Sequence, residues 1–172
     1  LEGGGGNFYY YSDLIADGYV DAPANTIKLL PADFTVQKEY LGMTCDLGNP
    51  ADAVQCRTNT VNALNTTGAL FVSFVGHATQ QYWAVEHMFD SNASALLTNG
   101  PCLPIMLSMT CYEGSFQDYR YASVMSETVV RQPVSGAVAS FAPTGFGLVT
   151  GHDYLEKGLM LAWFHEGINR LG

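Results

Sequence analysis

The strongest apolar runs in the chain, residues 69–75 and 103–109, are short, and each stops abruptly, the first at Gly76 and the second at Thr110. Runs this continuous suit strands buried on both faces, as in a parallel sheet. Ahead of the first run, Ala53, Val54, Val61 and Leu64 recur at roughly helical spacing and stop near Gly68, which predicts a helix over 53–64. The alternation continues with a helix predicted over 91–98, the strand 103–109, a helix over 121–131, a strand over 136–141 and a last helix over 153–168. Units repeating in this way predict an α/β domain with a largely parallel sheet flanked by helices and right-handed crossovers. Signals near the start are weaker. Ser12 and Asp13 read as a helix cap, with Leu14, Ile15 and Tyr19 as one apolar face. Pro23 and Pro31 bracket a stretch predicted to be irregular, and residues 34–41 alternate like a strand through Phe34, Val36 and Tyr40.

Composition adds limits to this picture. A chain of 172 residues, 48% hydrophobic, suits one domain with a substantial core. The net charge of −9 repels a phosphate backbone, so nucleic acid is excluded as a partner, while basic segments of a protein or peptide would be attracted. An acidic surplus also serves solubility alone. No apolar run approaches the roughly 20 residues of a membrane span. Residues 1–6, Leu-Glu followed by four glycines, read as a loop or linker ahead of a domain over 7–172, and the whole reads as part of a longer polypeptide.

In an open parallel sheet, chemistry gathers beyond the carboxyl ends of the strands. The run 69–75 leads into Gly76-His77-Ala78, and 103–109 leads into Thr110-Cys111-Tyr112-Glu113-Gly114. If the two strands are parallel neighbours, a thiol and an imidazole share one sheet edge, which is the minimal equipment for covalent acyl transfer. Cys111 is then the nucleophile and His77 its acid–base partner, with the main-chain N–H groups of Ala78 and Cys111 as oxyanion donors. Taken singly, each residue has a plainer reading, a buried thiol and a hydrogen-bonded loop imidazole; their joint placement favours the catalytic one. Glu113 reads as a solvated loop acid. No His and Cys spacing suggests zinc, and the chemistry calls for no cofactor.

These segments resemble the gingipain-type cysteine peptidases. In that family a hydrophobic strand leads to Gly-His-Gly with a Trp shortly after, as in residues 71–79 with Trp83, and a second hydrophobic strand leads to the nucleophile, as in residues 103–116. The wider group includes caspases, legumain and clostripain. The resemblance implies a caspase-like three-layer domain, endopeptidase activity through a Cys-His dyad, and His77 and Cys111 as its members. It also implies that the loop after the next strand lines the pocket for the residue before the cleaved bond, placing Phe141, Pro143 and Thr144 against the substrate. Relatives often choose a basic residue there, so cleavage after Arg or Lys is expected, with Asp153, Asp13, Asp17 or Asp33 as available counter-charges. Ala78 stands where the family usually has Gly. A carboxylate orienting His77 is not pinned by any motif; Asp13, Asp17 and Glu86 are candidates.

Cys45 and Cys56 flank a turn and would close a small loop as a disulfide contributing roughly 2 to 3 kcal/mol, which fits a secreted or cell-surface protein. Two reduced thiols are the plainer alternative. Cys102 and Cys111 sit at opposite ends of a strand that extends about 3.3 Å per residue, some ~20 Å or more apart and beyond bridging distance. Two rivals to hydrolysis stand beside it: a sortase-like transpeptidase, in which an amine resolves the same acyl-enzyme, and an inactive peptide-binding or scaffolding domain.

Overall fold

The computed structural model describes residues 8–22, 25–41, 50–168 and 170. Along the chain these form α1 (Phe8–Ala16), β1 (Tyr19–Ala22), β2 (Asn25–Lys28), α2 (Pro50–Thr66), β3 (Phe71–Val75), β4 (Tyr82–Trp83), β5 (Phe89–Asp90), α3 (Ser91–Ala95), β6 (Ile105–Met109), α4 (Met125–Val130), β7 (Ala139–Phe141) and α5 (Val149–Phe164). The glycine-rich stretch 1–6 lies outside the described residues. No described helix is long and apolar enough to cross a membrane.

The main sheet has the order β3-β6-β7 and is parallel throughout, as the continuous apolar runs require. Successive residues of a strand point to opposite faces, so the sheet divides the core in two. On one face Met106, Val72 and Phe74 pack with Val61 and Leu64 of α2, Ala93 of α3, and Met125 and Val129 of α4. On the other, Leu107, Met109, Phe71 and Val75 pack with Ile15 of α1 and Met160 of α5. Helices on both faces of a parallel sheet give the three-layer α/β arrangement that was expected.

Several elements depart from the expectation near the start of the chain. The aromatic residues 8–11 are themselves helical, and α1 ends at Ala16, so Tyr19 belongs to β1 rather than to the helix. The stretch expected to be irregular contains the β1–β2 antiparallel hairpin, whose turn lies outside the described residues. Residues 34–40, expected as a strand, are extended but join no sheet. Their alternation is satisfied by side chains instead: Phe34 packs edge-on against Phe164 at 4.9 Å, and the Tyr40 hydroxyl donates to Asp13 at 3.1 Å. A cavity of about 350 Å³ is bordered by this segment, α1, α2 and β3. Later in the chain, α4 is shorter than expected, and α5 starts four residues earlier than position 153.

Candidate active site

β3 and β6 pair in parallel with Val75 opposite Met109, and Gly76 N–H extends the ladder by donating to the Met109 carbonyl at 3.3 Å. His77 and Cys111 each lie two residues beyond that last matched pair, so both emerge at the carboxyl edge of adjacent strands. His77 is exposed and meets the Phe8 ring of α1 edge-on at 5.0 Å. Its turn is fixed from behind: Ala84 N–H donates to the His77 carbonyl at 2.8 Å, and Ala78 bridges to Trp83. The non-glycine residues with positive φ among the described residues are Ala84, His87 and Tyr112. Ala78 is not one of them, so its backbone lies where any residue is tolerated, and the missing glycine is no obstacle.

Cys111 is partly buried, and its thiol lies against Gly147. Gly147 N–H donates to Sγ at 3.4 Å, and the thiol faces the Gly147 carbonyl at 3.8 Å. Residue 147 must be glycine, because an added Cβ would lie 2.0 Å from the His152 ring and 2.6 Å from the Thr110 carbonyl. His152, on the first turn of α5, thus backs the strip of chain that touches the thiol. Burial pushes its pKa down, opposed by its hydrogen bond to the Met109 carbonyl. Nothing local in the sequence marks this histidine, since the contact joins the end of β6 to a helix forty residues later.

The loop after β7 runs along the loop after Cys111. Tyr112 N–H donates to the Gly145 carbonyl and Gly114 N–H to the Pro143 carbonyl, both at 2.9 Å, and Gln117 reaches the Thr144 carbonyl at 3.1 Å. Gly114 has no room for a side chain, its would-be Cβ lying 2.6 Å from the Ala142 carbonyl oxygen. Pro143 and Thr144 therefore sit beside the cysteine loop. Phe141 does not offer its ring there. It pairs with Leu107 across the strands and shares that residue's face, so its ring packs into the α5 core. The exposed aromatic residue of this loop is Phe146, 85% exposed, edge-on to Tyr112 at 4.6 Å.

Glu113 corrects the reading of a solvated acid. It is 1% exposed, and its Oε2 accepts from the Trp83 indole N–H at 2.5 Å. Burial pushes its pKa up to about 7, against the Ser108 hydroxyl and the Trp83 N–H, which draw it down. Of the acids considered for His77 or for a basic pocket, Asp13 and Asp17 engage Lys38, Asp17 at 2.5 Å, and Asp153 engages Lys157 at 2.7 Å. Cys102 and Cys111 are both free thiols, as expected from their separation. Cys56 is buried on α2, whereas Cys45 lies outside the described residues.

The chain is similar to several known proteins. The profile of Peptidase family C25 matches residues 3–172. The crystal structure of the Arg specific cysteine proteinase gingipain R matches with a TM-score of 0.55 at 24% identity, over 66% of this chain and 27% of that one. The complex of Porphyromonas gingivalis RgpB pro- and mature domains matches with a TM-score of 0.52 at 24% identity, over 60% of this chain and 26% of that one. A further structure described as a protease gives a TM-score of 0.50 at 20% identity over 58% of this chain, so the chain spans between 21% and 27% of the length of these structures. No curated protein sequence matches.

Proposed function

The chain belongs to peptidase family C25, a family of cysteine peptidases, and on that footing we propose that it hydrolyses peptide bonds through Cys111 and His77. The observation that carries this reading is the β3–β6 register, which sets the two residues equally far beyond one matched pair. His77 takes the Cys111 thiol proton, and the sulfur attacks the scissile carbonyl carbon to form a C–S bond as the carbonyl π pair moves to oxygen. The carbonyl oxygen, now anionic, accepts hydrogen bonds from the N–H groups of Ala78 and Cys111. Collapse restores the C=O and breaks the C–N bond, with His77 delivering a proton to the departing amine. Water then attacks the thioester, His77 takes its proton, and the thiolate leaves.

The residue before the cleaved bond is Arg or Lys in this reading, which the acidic surplus supports together with the arginine specificity stated for gingipain R. Residues 7–172 act as one catalytic domain within a longer polypeptide, in keeping with the small share of each solved structure that the chain spans. A secreted or cell-surface setting goes with a Cys45–Cys56 bridge, these being the cysteines left once the two free thiols are set aside. A positional-scanning peptide library tests the whole reading. Cys111→Ala abolishes turnover and His77→Ala nearly does so, because the pair acts as a unit. Undiminished hydrolysis in the Cys111→Ala protein ends the proposal, whereas a preference for Asp, Asn or large apolar residues ends the basic preference alone.

A further inference from the structure

Between His77 and Cys111 the polypeptide path is long, but a side-chain path is short. The main chain of Trp83 and Ala84 holds the histidine turn, through the bridge to Ala78 and the 2.8 Å bond to the His77 carbonyl. The indole of the same Trp83 is 4% exposed, stacked on Phe74 at 4.6 Å and against Phe89 at 5.1 Å, so the core fixes the direction of its N–H. That N–H ends on Glu113, two residues past Cys111. The intervening Tyr112 has φ of 59°, a left-handed conformation that a bulky residue keeps only where its surroundings over-determine it. Those surroundings are the bonds of Tyr112 and Gly114 to the loop after β7, and Glu113 itself, whose carbonyl accepts from Ser126 of α4 at 3.0 Å.

A carboxyl held in an apolar core loses its hydration, and a leucine would fill the same space without that loss. What leucine would not do is accept the buried indole N–H. We propose that Glu113 is a positioning residue that couples the cysteine turn to the histidine turn through Trp83, setting the separation of Cys111 and His77. This rests on the dyad reading above. Displacement of a reacting group by about 1 Å can cost on the order of a hundredfold in rate, so a bond of fixed direction between the two turns bears directly on catalysis.

Alkylation of Cys111 by iodoacetamide reports the thiolate without reference to any peptide substrate. The rate is measured on the full chain carrying Cys102→Ser, alone and with His77→Ala, Glu113→Leu or Glu113→Gln, each checked for a cooperative thermal transition. His77→Ala slows alkylation, Glu113→Leu slows it at least tenfold, and Glu113→Gln, which keeps an acceptor for the indole, recovers most of that loss. If His77→Ala slows the reaction while Glu113→Leu stays within twofold of the parent, the coupling is overturned and the dyad stands. A Gln variant no faster than the Leu variant overturns it equally. A rate indifferent to His77→Ala brings down the dyad and the coupling together. Should Glu113→Leu fail to fold, Trp83→Phe removes the same N–H, keeps a ring in the stack, and is read against the same outcomes.

Discussion

Among the described residues, each face of the main sheet buries one glutamate at 1% exposure, and the two carboxyls lie at different heights along the strands. On the α2–α4 face, Glu113 lies past the end of β6 and bonds to a ring from another loop. On the α1–α5 face, Glu156 of α5 bonds to the Ser73 hydroxyl in the middle of β3. Burial pushes both pKa values up to about 7, drawn back in each case by hydrogen-bond donors. The chemistry is alike and the consequence is not. A carboxyl at mid-strand ties a helix to a sheet that is already rigid, whereas one past the strand end joins the turn after β6 to the turn after β3, beyond the last bond of the ladder. Position along the strand, rather than burial, separates a structural acid from one that bears on the site.

The difference can be pressed hardest at the adjacent core residues Met106 and Leu107, which are fully buried on opposite faces. Each replaced by Ala is expected to lose about 2–5 kcal/mol in denaturant unfolding, through lost transfer energy and the cavity left behind. Near-equal losses mean the faces contribute alike to stability; a cheap substitution on one face would show that face to be loosely packed. Next in size, Gly147→Ala drives a methyl into His152 and the Thr110 carbonyl and is expected to cost about 1–3 kcal/mol of stability. It should also slow Cys111 alkylation, placing the α5 side among the supports of the thiol.

The pH dependence follows from the two glutamates. Below the usual glutamate value of 4.5 both folded and unfolded chains hold these protons, and stability is at its full value. Between 4.5 and about 7 the unfolded chain releases them while the folded chain keeps them, so stability falls as pH rises through that window and levels off above it. Thermal melting from pH 4.5 to 8 should show this decline, with Glu156→Gln removing part of it and leaving Cys111 alkylation unchanged. A Glu156→Gln protein with impaired thiol reactivity would erase the distinction between the faces. The smallest effect is expected at Lys38, whose pairing with Asp13 and Asp17 is largely solvated; Lys38→Ala should cost less than about 1 kcal/mol.

How legible each part was in the sequence depends on how local its determinants are. The strands carrying His77 and Cys111 could be read because an apolar run ending in a polar turn is a signal within ten residues. Residues 34–40 misled because the same alternation serves an extended segment packed by its side chains, and only the neighbours Phe164 and Asp13 distinguish the two. Phe141 was assigned to the pocket from its loop, while its face is dictated by pairing with Leu107. Glu113 reads as solvated because an acid in a loop looks so until its partner is known, and no local motif marks His152. Those partners, Trp83 thirty residues before Glu113 and Gly147 backed onto the thiol, are set by the fold.

The sheet order also has a meaning in time. β6 lies between two strands and is buried along most of its length, whereas among the described residues β3 has a hydrogen-bonded neighbour on one side only. Amide exchange should therefore be slowest in β6 and faster in β3, since an edge strand opens by smaller fluctuations than a central one. Cys111 would then follow the slowest-exchanging strand of this sheet and His77 a quicker one. On the proposed dyad reading, the cysteine is the fixed reference of the pair, and adjustment to an arriving substrate falls to the histidine.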